Sequence, residues 1–148
     1  MNPPADVPFT TTLFVRDSCL CLHVQRAARA LVRRFDVALR PAGLTSGQFS
    51  LLMSLNRPQP PTMGQVASLL AMDRTTLTAN LKPLERQGFV EVRAGETDKR
   101  QRVLVLTPAG RAALAAAVPI WLATHQAIEG LLGEASPDRL RADLVALS

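Results

Sequence analysis

The chain has 148 residues, of which 47% are hydrophobic and 20% charged, which fits one globular domain over residues 1–148 with a sizeable core. Its 17 lysines and arginines against 12 aspartates and glutamates give a formal net charge of +5, and the sequence pI is near 10.5. This balance favours a polyanionic partner such as nucleic acid. No secretory signal and no bilayer-length apolar segment are recognisable, so we expect a cytoplasmic protein without a membrane partner.

The first predicted helix covers residues 18–39 and follows a proline-rich segment, residues 1–16, that we expect to be a loose N-terminal arm. Apolar residues recur at helical spacing along one stripe from Leu20 to Ala38. The opposite side of the helix carries arginines, and the Arg-Pro-Ala-Gly sequence at 40–43 ends it. These arginines are Arg26, Arg29, Arg33 and Arg34.

Three shorter helices are predicted next, and each has a recognisable start. Two of them begin with capping boxes, in which a threonine oxygen and a glutamine side chain satisfy each other's unpaired backbone amides. The third begins after Asp73, whose carboxylate can cap the helix, and ends at Gly88. The capping boxes are Thr45 with Gln48, before a helix over residues 46–55, and Thr62 with Gln65.

After Gly88 the hydrophobic pattern changes from helical to strand-like. Two short β-favouring runs, 89–92 and 103–106, flank the charged sequence RAGETDKRQR and predict a hairpin. Thr107-Pro108 and Ser136-Pro137 then start two more helices. The fold class is therefore mainly α with a small β-hairpin, in the order α-α-α-α-β-β-α-α. Pro83 and Pro119 lie inside predicted helices and should distort them.

Two short helices joined by the tight turn Ala71-Met72-Asp73 and followed by a hairpin are typical of a winged helix-turn-helix. In that arrangement the second helix enters the DNA major groove. Its buried face has leucines at 77, 81 and 84, whereas the other face is rich in threonine, whose short side chain lets the backbone approach base edges. A solvated polar face is the alternative. The candidate DNA-binding residues are Arg74, Thr75, Thr76, Thr78, Ala79, Lys82 and Arg86.

The tip of the predicted hairpin, or wing, concentrates positive charge. Lys99, Arg100 and Arg102 lie within four residues, in a shape that suits the negative potential of a narrow minor groove. Asp98 can orient Arg100 or pin the loop. Following a groove-compatible helix, this wing favours DNA over an ordinary solvated turn.

The sequences DRTTLTANLKPLERQGFVEV and DKRQRVLVLTPAG resemble the MarR family of bacterial transcription regulators. The residues that carry the resemblance are Asp98, Arg100, Leu106, Thr107 and Gly110. The resemblance implies a winged helix-turn-helix over residues 45–107 and dimerisation helices over 17–40 and 108–148. It also implies a homodimer that reads a palindrome in double-stranded DNA, mostly as a repressor released by a small-molecule effector or an oxidant.

The sequence CLCLH contains three potential metal ligands, Cys19, Cys21 and His23. On one continuous helix Cys21 would point about 200° away from Cys19, so we expect no metal site, and also no disulfide between the two cysteines. The position of Cys21 resembles that of the reactive cysteine in the OhrR branch of organic-peroxide sensors, but the tyrosines that hold the thiolate in that branch are absent here. We predict that Cys21 lines the dimer core or an effector pocket and reacts slowly.

No nucleophile, base and orienting group are visible together and no glycine-rich phosphate loop is present, so we expect neither an enzyme nor a bound cofactor. His125, alone on an apolar stripe, is expected in the core or an interface. Three alternatives to a ligand-responsive repressor remain: a peroxide-sensing repressor acting through Cys21, a winged-helix protein-interaction module and a thiol enzyme.

Overall fold

The computed structural model describes residues 6–148, and these form seven α-helices and one two-stranded hairpin. The predicted fold class, mainly α with a β-wing, is confirmed. In this part of the chain no helix combines the length and apolar character needed to cross a membrane. The elements are α1 (Phe9–Ser18), α2 (Leu20–Leu39), α3 (Ser46–Leu55), α4 (Met63–Leu69), α5 (Arg74–Arg86), β1 (Val90–Ala94), β2 (Arg102–Leu106), α6 (Pro108–Gly130) and α7 (Pro137–Leu147).

The expectation of a loose arm over residues 1–16 is wrong for its second half, because Phe9–Ser18 is helical; residues 1–5 lie outside the described part. Pro8 occupies the N-cap of α1, where its missing N–H costs no helical hydrogen bond. The helix predicted from residue 18 instead begins at Leu20. Cys19 separates α1 from α2 with extended backbone, φ −71° and ψ 107°, and its sulfur accepts a hydrogen bond from the Leu22 amide at 3.5 Å.

Both predicted capping boxes are present. The Gln48 amide donates to Thr45 Oγ1 at 3.2 Å, while the Thr45 amide donates to the Gln48 side chain at 3.0 Å. Thr62 and Gln65 repeat the arrangement at the start of α4 with the same two distances. Each box satisfies two amides that the first helical turn leaves unpaired, which explains why these helix starts could be predicted.

The core forms where α3, α5, α6 and the hairpin meet. Four leucines are completely buried: Leu52 of α3, Leu77 and Leu84 of α5, and Leu104 of β2. Leu114 of α6 packs in the same cluster. Because the leucines of α5 face this core, the opposite face of the helix is exposed to solvent. Both α5 and α6 continue through their internal prolines, Pro83 and Pro119, and the distortion expected there stays a prediction.

The hairpin is fastened to the helices at two points, the outer edge of β2 and the base. Its strands pair antiparallel from Val90–Leu106 to Ala94–Arg102. On its outer side the Leu104 amide donates to the Pro61 carbonyl at 2.9 Å, which anchors β2 beside the start of α4. At its base Thr107 Oγ1 donates to the Gly88 carbonyl at 2.6 Å. These bonds fix the wing relative to the helix-turn-helix.

The terminal helices bury none of their own residues, although both carry large apolar side chains. Phe9 and Phe14 of α1 are 71% and 70% exposed, and Val145 of α7 is 72% exposed. An ion pair of 2.6 Å between Arg141 and Glu129 links α7 to α6. A single chain therefore leaves apolar surface on both terminal helices without a partner.

Gly110 provides a test of the packing at the wing base. It is buried in the first turn of α6, where a Cβ would collide with the Phe89 carbonyl oxygen and approach Leu106 Cδ1 to 2.8 Å. We expect Gly110→Ala to lower the free energy of unfolding by about 1–3 kcal/mol. The measurement is chemical denaturation at one protein concentration.

The matched control is Gly130→Ala, in the last turn of the same helix, where a Cβ meets no atom within 4 Å. Because alanine has the higher helix propensity, this variant should unfold at the parent's midpoint or above it. Equal midpoints for Gly110→Ala and the parent would contradict the close packing described for the wing base.

Candidate nucleic-acid interface

The turn that sets the angle between α4 and α5 is built on Ala71. Its φ of 51° is the only positive value at a non-glycine residue in the described part of the chain. The Met72 amide reaches back to the Ala67 carbonyl at 2.9 Å and closes the turn. A small side chain is needed here because bulkier residues are more strained at positive φ. This explains the alanine at the start of the tight turn Ala71-Met72-Asp73.

Asp73 starts α5 immediately after this turn. Its Oδ1 accepts from the Thr76 amide at 2.8 Å and its Oδ2 accepts from the Thr76 hydroxyl at 2.9 Å. These two hydrogen bonds lower the pKa of the Asp73 carboxyl, with a smaller contribution from the Thr75 amide. The cap is therefore ionised at neutral pH, where its negative charge also complements the helix dipole.

The seven residues predicted on the outer face of α5 are all exposed, while the leucines of its inner face are at most 2% exposed. With about 100° between successive residues, Thr75, Ala79, Lys82 and Arg86 lie opposite the buried face, and the others flank them. The complete set is Arg74, Thr75, Thr76, Thr78, Ala79, Lys82 and Arg86.

The three threonines of α5 are not equivalent. The Thr76 hydroxyl is used in the cap with Asp73. The Thr78 hydroxyl donates to the Arg74 carbonyl at 2.8 Å, so that its oxygen remains available as an acceptor. Within the described residues, no side-chain hydrogen bond engages the Thr75 hydroxyl. Thr75 is thus the threonine best prepared to donate to a base, whereas Thr76 is placed mainly to hold the helix start.

Residues of α5 and of the wing meet at one concave surface of about 500 Å³. We call this concavity the cationic cleft. It contains three arginines and no acidic residue, and it unites two predicted groups that are separated by more than 20 residues in sequence. Its lining is Thr62, Met63, Gly64, Arg74, Thr78, Arg100, Gln101 and Arg102.

The wing tip is held by hydrogen bonds among its own residues. Asp98 Oδ1 accepts from the Arg100 amide at 3.0 Å, and the Asp98 carbonyl accepts from the Gln101 amide at 3.1 Å. Of the two roles expected for Asp98, pinning the loop is therefore the one observed. Gly95 is required in this loop, because a Cβ there would lie 2.6 Å from the Asp98 carbonyl oxygen.

The positive charges of this surface are not neutralised by ion pairs within the described part of the chain. Among residues 6–148, no carboxylate lies within 4.0 Å of the basic groups predicted on α5 and the wing; the hairpin arginine that does form an ion pair is Arg93, with Glu91. The surface is thus able to receive an external anion. The basic groups concerned are Arg74, Lys82, Arg86, Lys99, Arg100 and Arg102.

Several residues that shape this surface were not predicted from the sequence. Thr62 and Gly64 reach the cationic cleft from the start of α4, and Gln101 reaches it from the wing. Thr62 had been recognised only as a cap. Within the sequence RAGETDKRQR, the glycine Gly95 was the one local indication that the wing turn is tight.

Both cysteines lie at the junction of α1 and α2, outside the cationic cleft. Cys19 is half-buried and caps α2, so the assumption that Cys19 and Cys21 share a continuous helix is wrong. Cys21 is exposed in the single chain and accepts a hydrogen bond from Gln25 Nε2 at 3.2 Å. Over the described residues, no group of three histidine, cysteine or acidic side chains is arranged to hold a metal ion.

His125 lies at the edge of the core. Its ring stacks on Trp121 with centroids 4.6 Å apart, and its Nε2 is 3.1 Å from a Glu129 carboxylate oxygen. Arg141 also contacts Glu129, and this hydrogen bond is the main reason that the pKa of Glu129 is lowered. The half-buried position agrees with the core or interface location expected for this histidine.

Comparisons with known proteins agree with this geometry. The model of the MarR family matches residues 44–101. The HTH-type transcriptional regulator YwoH of Bacillus subtilis, itself uncharacterised, is 37% identical over 85 residues, which are 57% of this chain and 61% of YwoH. The regulator TtmR of Methylorubrum extorquens is 36% identical over 95 residues, but only 49% of its length is covered. The chain thus spans less than two thirds of these curated relatives.

Solved structures match over most of both chains. The transcriptional regulator MosR of M. tuberculosis in complex with DNA is 41% identical, with a TM-score of 0.79 over 88% of this chain and 93% of MosR. The transcriptional repressor CouR bound to a 23-mer DNA duplex is 28% identical, also with a TM-score of 0.79, over 90% of this chain and 94% of CouR. On the winged helix-turn-helix, the family model and these relatives, the chain belongs to the MarR family of transcriptional regulators.

Proposed function

We propose that the protein is a sequence-specific DNA-binding regulator that represses transcription by occupying a promoter until a small-molecule effector releases it. The observation that carries this proposal is the cationic cleft, where arginines of α5 and of the wing meet without an acidic partner. Unpaired arginines on a groove-sized helix and a projecting hairpin are suited to phosphate and base contacts. MosR and CouR, which share the fold, have each been solved with DNA.

In this proposal α5 enters the major groove and the wing follows the adjacent minor groove. Thr75, Thr78 and Ala79 are short enough to bring the helix close to base edges, while Lys82 and Arg86 reach phosphates. Arg100 enters the minor groove from a tip that Asp98 holds in shape. Lys99, Arg102 and Arg74 add phosphate contacts around the cleft, and Thr76 acts through the cap of α5.

The proposal includes a homodimer. The unpartnered apolar side chains of α1 and α7 can be covered by the same helices of a second copy in a two-fold symmetric interface. The predicted dimerisation helices, residues 17–40 and 108–148, would then supply the dimer base together with α1, and residues 45–107 the two winged helices. Two winged helices related by two-fold symmetry predict a palindromic operator. Such a regulator would act by binding chromosomal DNA and not by catalysis. It would therefore reside in the cytoplasm.

The proposal is tested by sequencing genomic fragments that the purified protein retains and measuring affinity for the selected operator at increasing salt. We expect the logarithm of the association constant to fall linearly with the logarithm of the salt concentration, through counterion release. Absence of any enriched palindrome would instead favour the alternative of a protein-interaction module.

A negative charge placed in the cationic cleft should abolish specific binding of the operator. Thr78→Glu sets a carboxylate against base edges and phosphates, and we expect it to cost about 3 kcal/mol or more of operator affinity, on the order of a hundredfold. The measurement is a fluorescence-anisotropy titration with the selected operator. Asn80→Glu, which adds the same charge to an exposed position outside the cleft, is the control and should lose much less. Parent-like affinity of Thr78→Glu would refute the assignment of α5.

Removal of a wing arginine should have a smaller effect that depends on the DNA sequence. We expect Arg100→Ala to cost about 1–3 kcal/mol, and to cost most where the flanking minor groove is rich in A·T pairs. Asp98→Ala should weaken DNA binding less directly, because it removes the hydrogen bond that holds the wing loop in shape. Arg93→Ala, at the hairpin residue paired with Glu91, serves as the control. If both wing variants bind as the parent does, the wing is only a solvated hairpin.

Release by oxidation is a second candidate mechanism, favoured by the exposure of Cys21 and by the hydrogen bond that its sulfur accepts from Gln25. The test is addition of an organic hydroperoxide at low micromolar concentration to the protein–operator complex. Because we predict that Cys21 reacts slowly, we expect DNA to stay bound. Release within minutes by the parent, but not by Cys21→Ser, would establish oxidative release in its place, and Cys19→Ser shows whether the second thiol takes part.

A further inference from the structure

A second concentration of positive charge lies on α2, a helix that contributes nothing to the cationic cleft. Three exposed arginines of this helix line a concave surface of about 580 Å³. With about 100° between successive helical residues, they fall within about 60° of one another around the axis. We call Arg26, Arg29 and Arg33 the arginine stripe. The other residues that line the concavity are His23, Ala27 and Ala30.

The arginine stripe faces away from the helix that packs on α2. Phe35 stacks on Trp121 of α6 with ring centroids 6.3 Å apart, and so marks the side of α2 on which α6 lies. The three arginines are rotated from Phe35 by about 120° to 180° around the helix axis. Leu20 and Leu31, which are partly exposed, lie within about 60° of Phe35. A second copy that packs on the apolar side of α2 therefore leaves the arginine stripe free.

The charge of the arginine stripe is not balanced within residues 6–148, where none of its members forms an ion pair. Arg29 donates to the uncharged side chain of Gln25 at 3.4 Å. The single acidic residue of α2, Asp36, instead accepts a hydrogen bond from the Ser46 amide at 2.7 Å. Like charges three and four residues apart destabilise a helix, so the stripe has an unfavourable repulsion that a bound anion would relieve.

A second copy of the chain is a poor source of that anion. Two arginine stripes that met across a two-fold axis would repel each other. Most carboxylates of the chain are already engaged, as in the pairs of Glu91 with Arg93 and Glu129 with Arg141. Among residues 6–148, the carboxylates without an ion pair or a side-chain hydrogen bond lie on four separate segments, so they cannot form a matching acidic surface. They are Asp6, Glu85, Glu96 and Glu134.

The spacing of the arginine stripe suits a nucleic-acid backbone. At 1.5 Å per residue, Arg26 and Arg29 are about 4.5 Å apart along the helix axis, and Arg29 and Arg33 about 6 Å. One DNA strand advances about 3.4 Å per phosphate along the duplex, so long arginine side chains at these intervals can reach neighbouring phosphates. Ala27 and Ala30 are too short to obstruct this approach. Guanidinium groups bind phosphate in a bidentate manner, and such contacts carry no sequence information.

We propose that the arginine stripe is a second nucleic-acid-binding surface, which holds the phosphate backbone of duplex DNA irrespective of its sequence. This inference goes beyond the proposed function, because operator recognition is assigned to α5 and the wing. The phosphates belong either to DNA that flanks the operator or to a second duplex. In both cases the stripe retains the protein on DNA through contacts that the winged helix does not make.

The test compares two pairs of substitutions that remove the same amount of charge. Arg26→Gln with Arg33→Gln removes two guanidinium groups of the arginine stripe. Arg57→Gln with Arg111→Gln is the matched control, since both residues are exposed, form no ion pair among residues 6–148 and lie outside α2. Circular dichroism and light scattering on both variants check that helix content and oligomeric state match the parent.

Binding is measured by fluorescence anisotropy with an operator-free duplex at increasing salt. We expect the stripe variant to bind at least about tenfold more weakly than the parent at low salt. The slope of the logarithm of the association constant against the logarithm of the salt concentration should fall by about two units, because each lost phosphate contact contributes about 0.9. The control should keep nearly the parent's slope. Equal losses in the two variants, or none in the stripe variant, would overturn the proposal.

Thr78→Glu separates this inference from the proposed function. With the cationic cleft disabled, the operator-free duplex should still bind, and the stripe substitutions should weaken that binding further. If no operator can be selected but the stripe variant still loses operator-free binding, the proposed function fails and the inference stands. If an operator is selected and the stripe variant binds the operator-free duplex as the parent does, the inference alone fails.

The source of the phosphates is identified with protein saturated by an operator duplex that has no flanking DNA. Capture of a labelled second duplex by the parent, but not by the stripe variant, assigns the arginine stripe to a second duplex. A gain in affinity when the operator is lengthened, lost in the stripe variant, assigns it to flanking DNA. If the stripe variant shows neither loss and the parent's stripe binds only inorganic tripolyphosphate, the assignment to duplex DNA is overturned.

Discussion

The burial of Leu77, Leu81 and Leu84 against α3 and the hairpin is the interaction on which the rest of the structure depends. Each of these side chains is at most 2% exposed, and full burial of a leucine contributes about 1.5–3 kcal/mol. Because successive helical residues differ by about 100°, fixing this face also fixes which residues of α5 face outward. The threonines, whose helix propensity is only moderate, are accordingly explained by the surface they form and not by the stability they add.

A second constraint comes from the connections at the two ends of α5. The strained turn at Ala71 and the Asp73 cap determine where the helix begins, and Thr107 ties its far end to the wing through the Gly88 carbonyl. The wing is also anchored beside α4 by the bond from Leu104 to Pro61. These contacts hold the arginines of the helix and of the wing around one cleft, where no carboxylate of residues 6–148 forms an ion pair with them.

Local features of this fold could be predicted from the sequence because they depend on a few neighbouring residues: the capping boxes at Thr45 and Thr62, the cap at Asp73 and the proline-marked start of α6 all occur as expected. The break at Cys19 was missed because the apolar stripe of α2 gives no signal of an N-cap made by a sulfur atom. The cleft could be predicted only in part. Its basic residues could be identified in the sequence, but the positions of Thr62, Gly64 and Gln101 depend on how distant segments pack.

In the proposed complex, α5 and the wing of each of two subunits contact one DNA duplex. Hydroxyl-radical footprinting of the selected operator tests it most directly. We expect two symmetric protected half-sites whose centres are separated by whole helical turns of about 10–10.5 base pairs, each flanked by a protected minor groove that becomes accessible with Arg100→Ala. A footprint without two-fold symmetry, or flanking protection that is unchanged in Arg100→Ala, would contradict it.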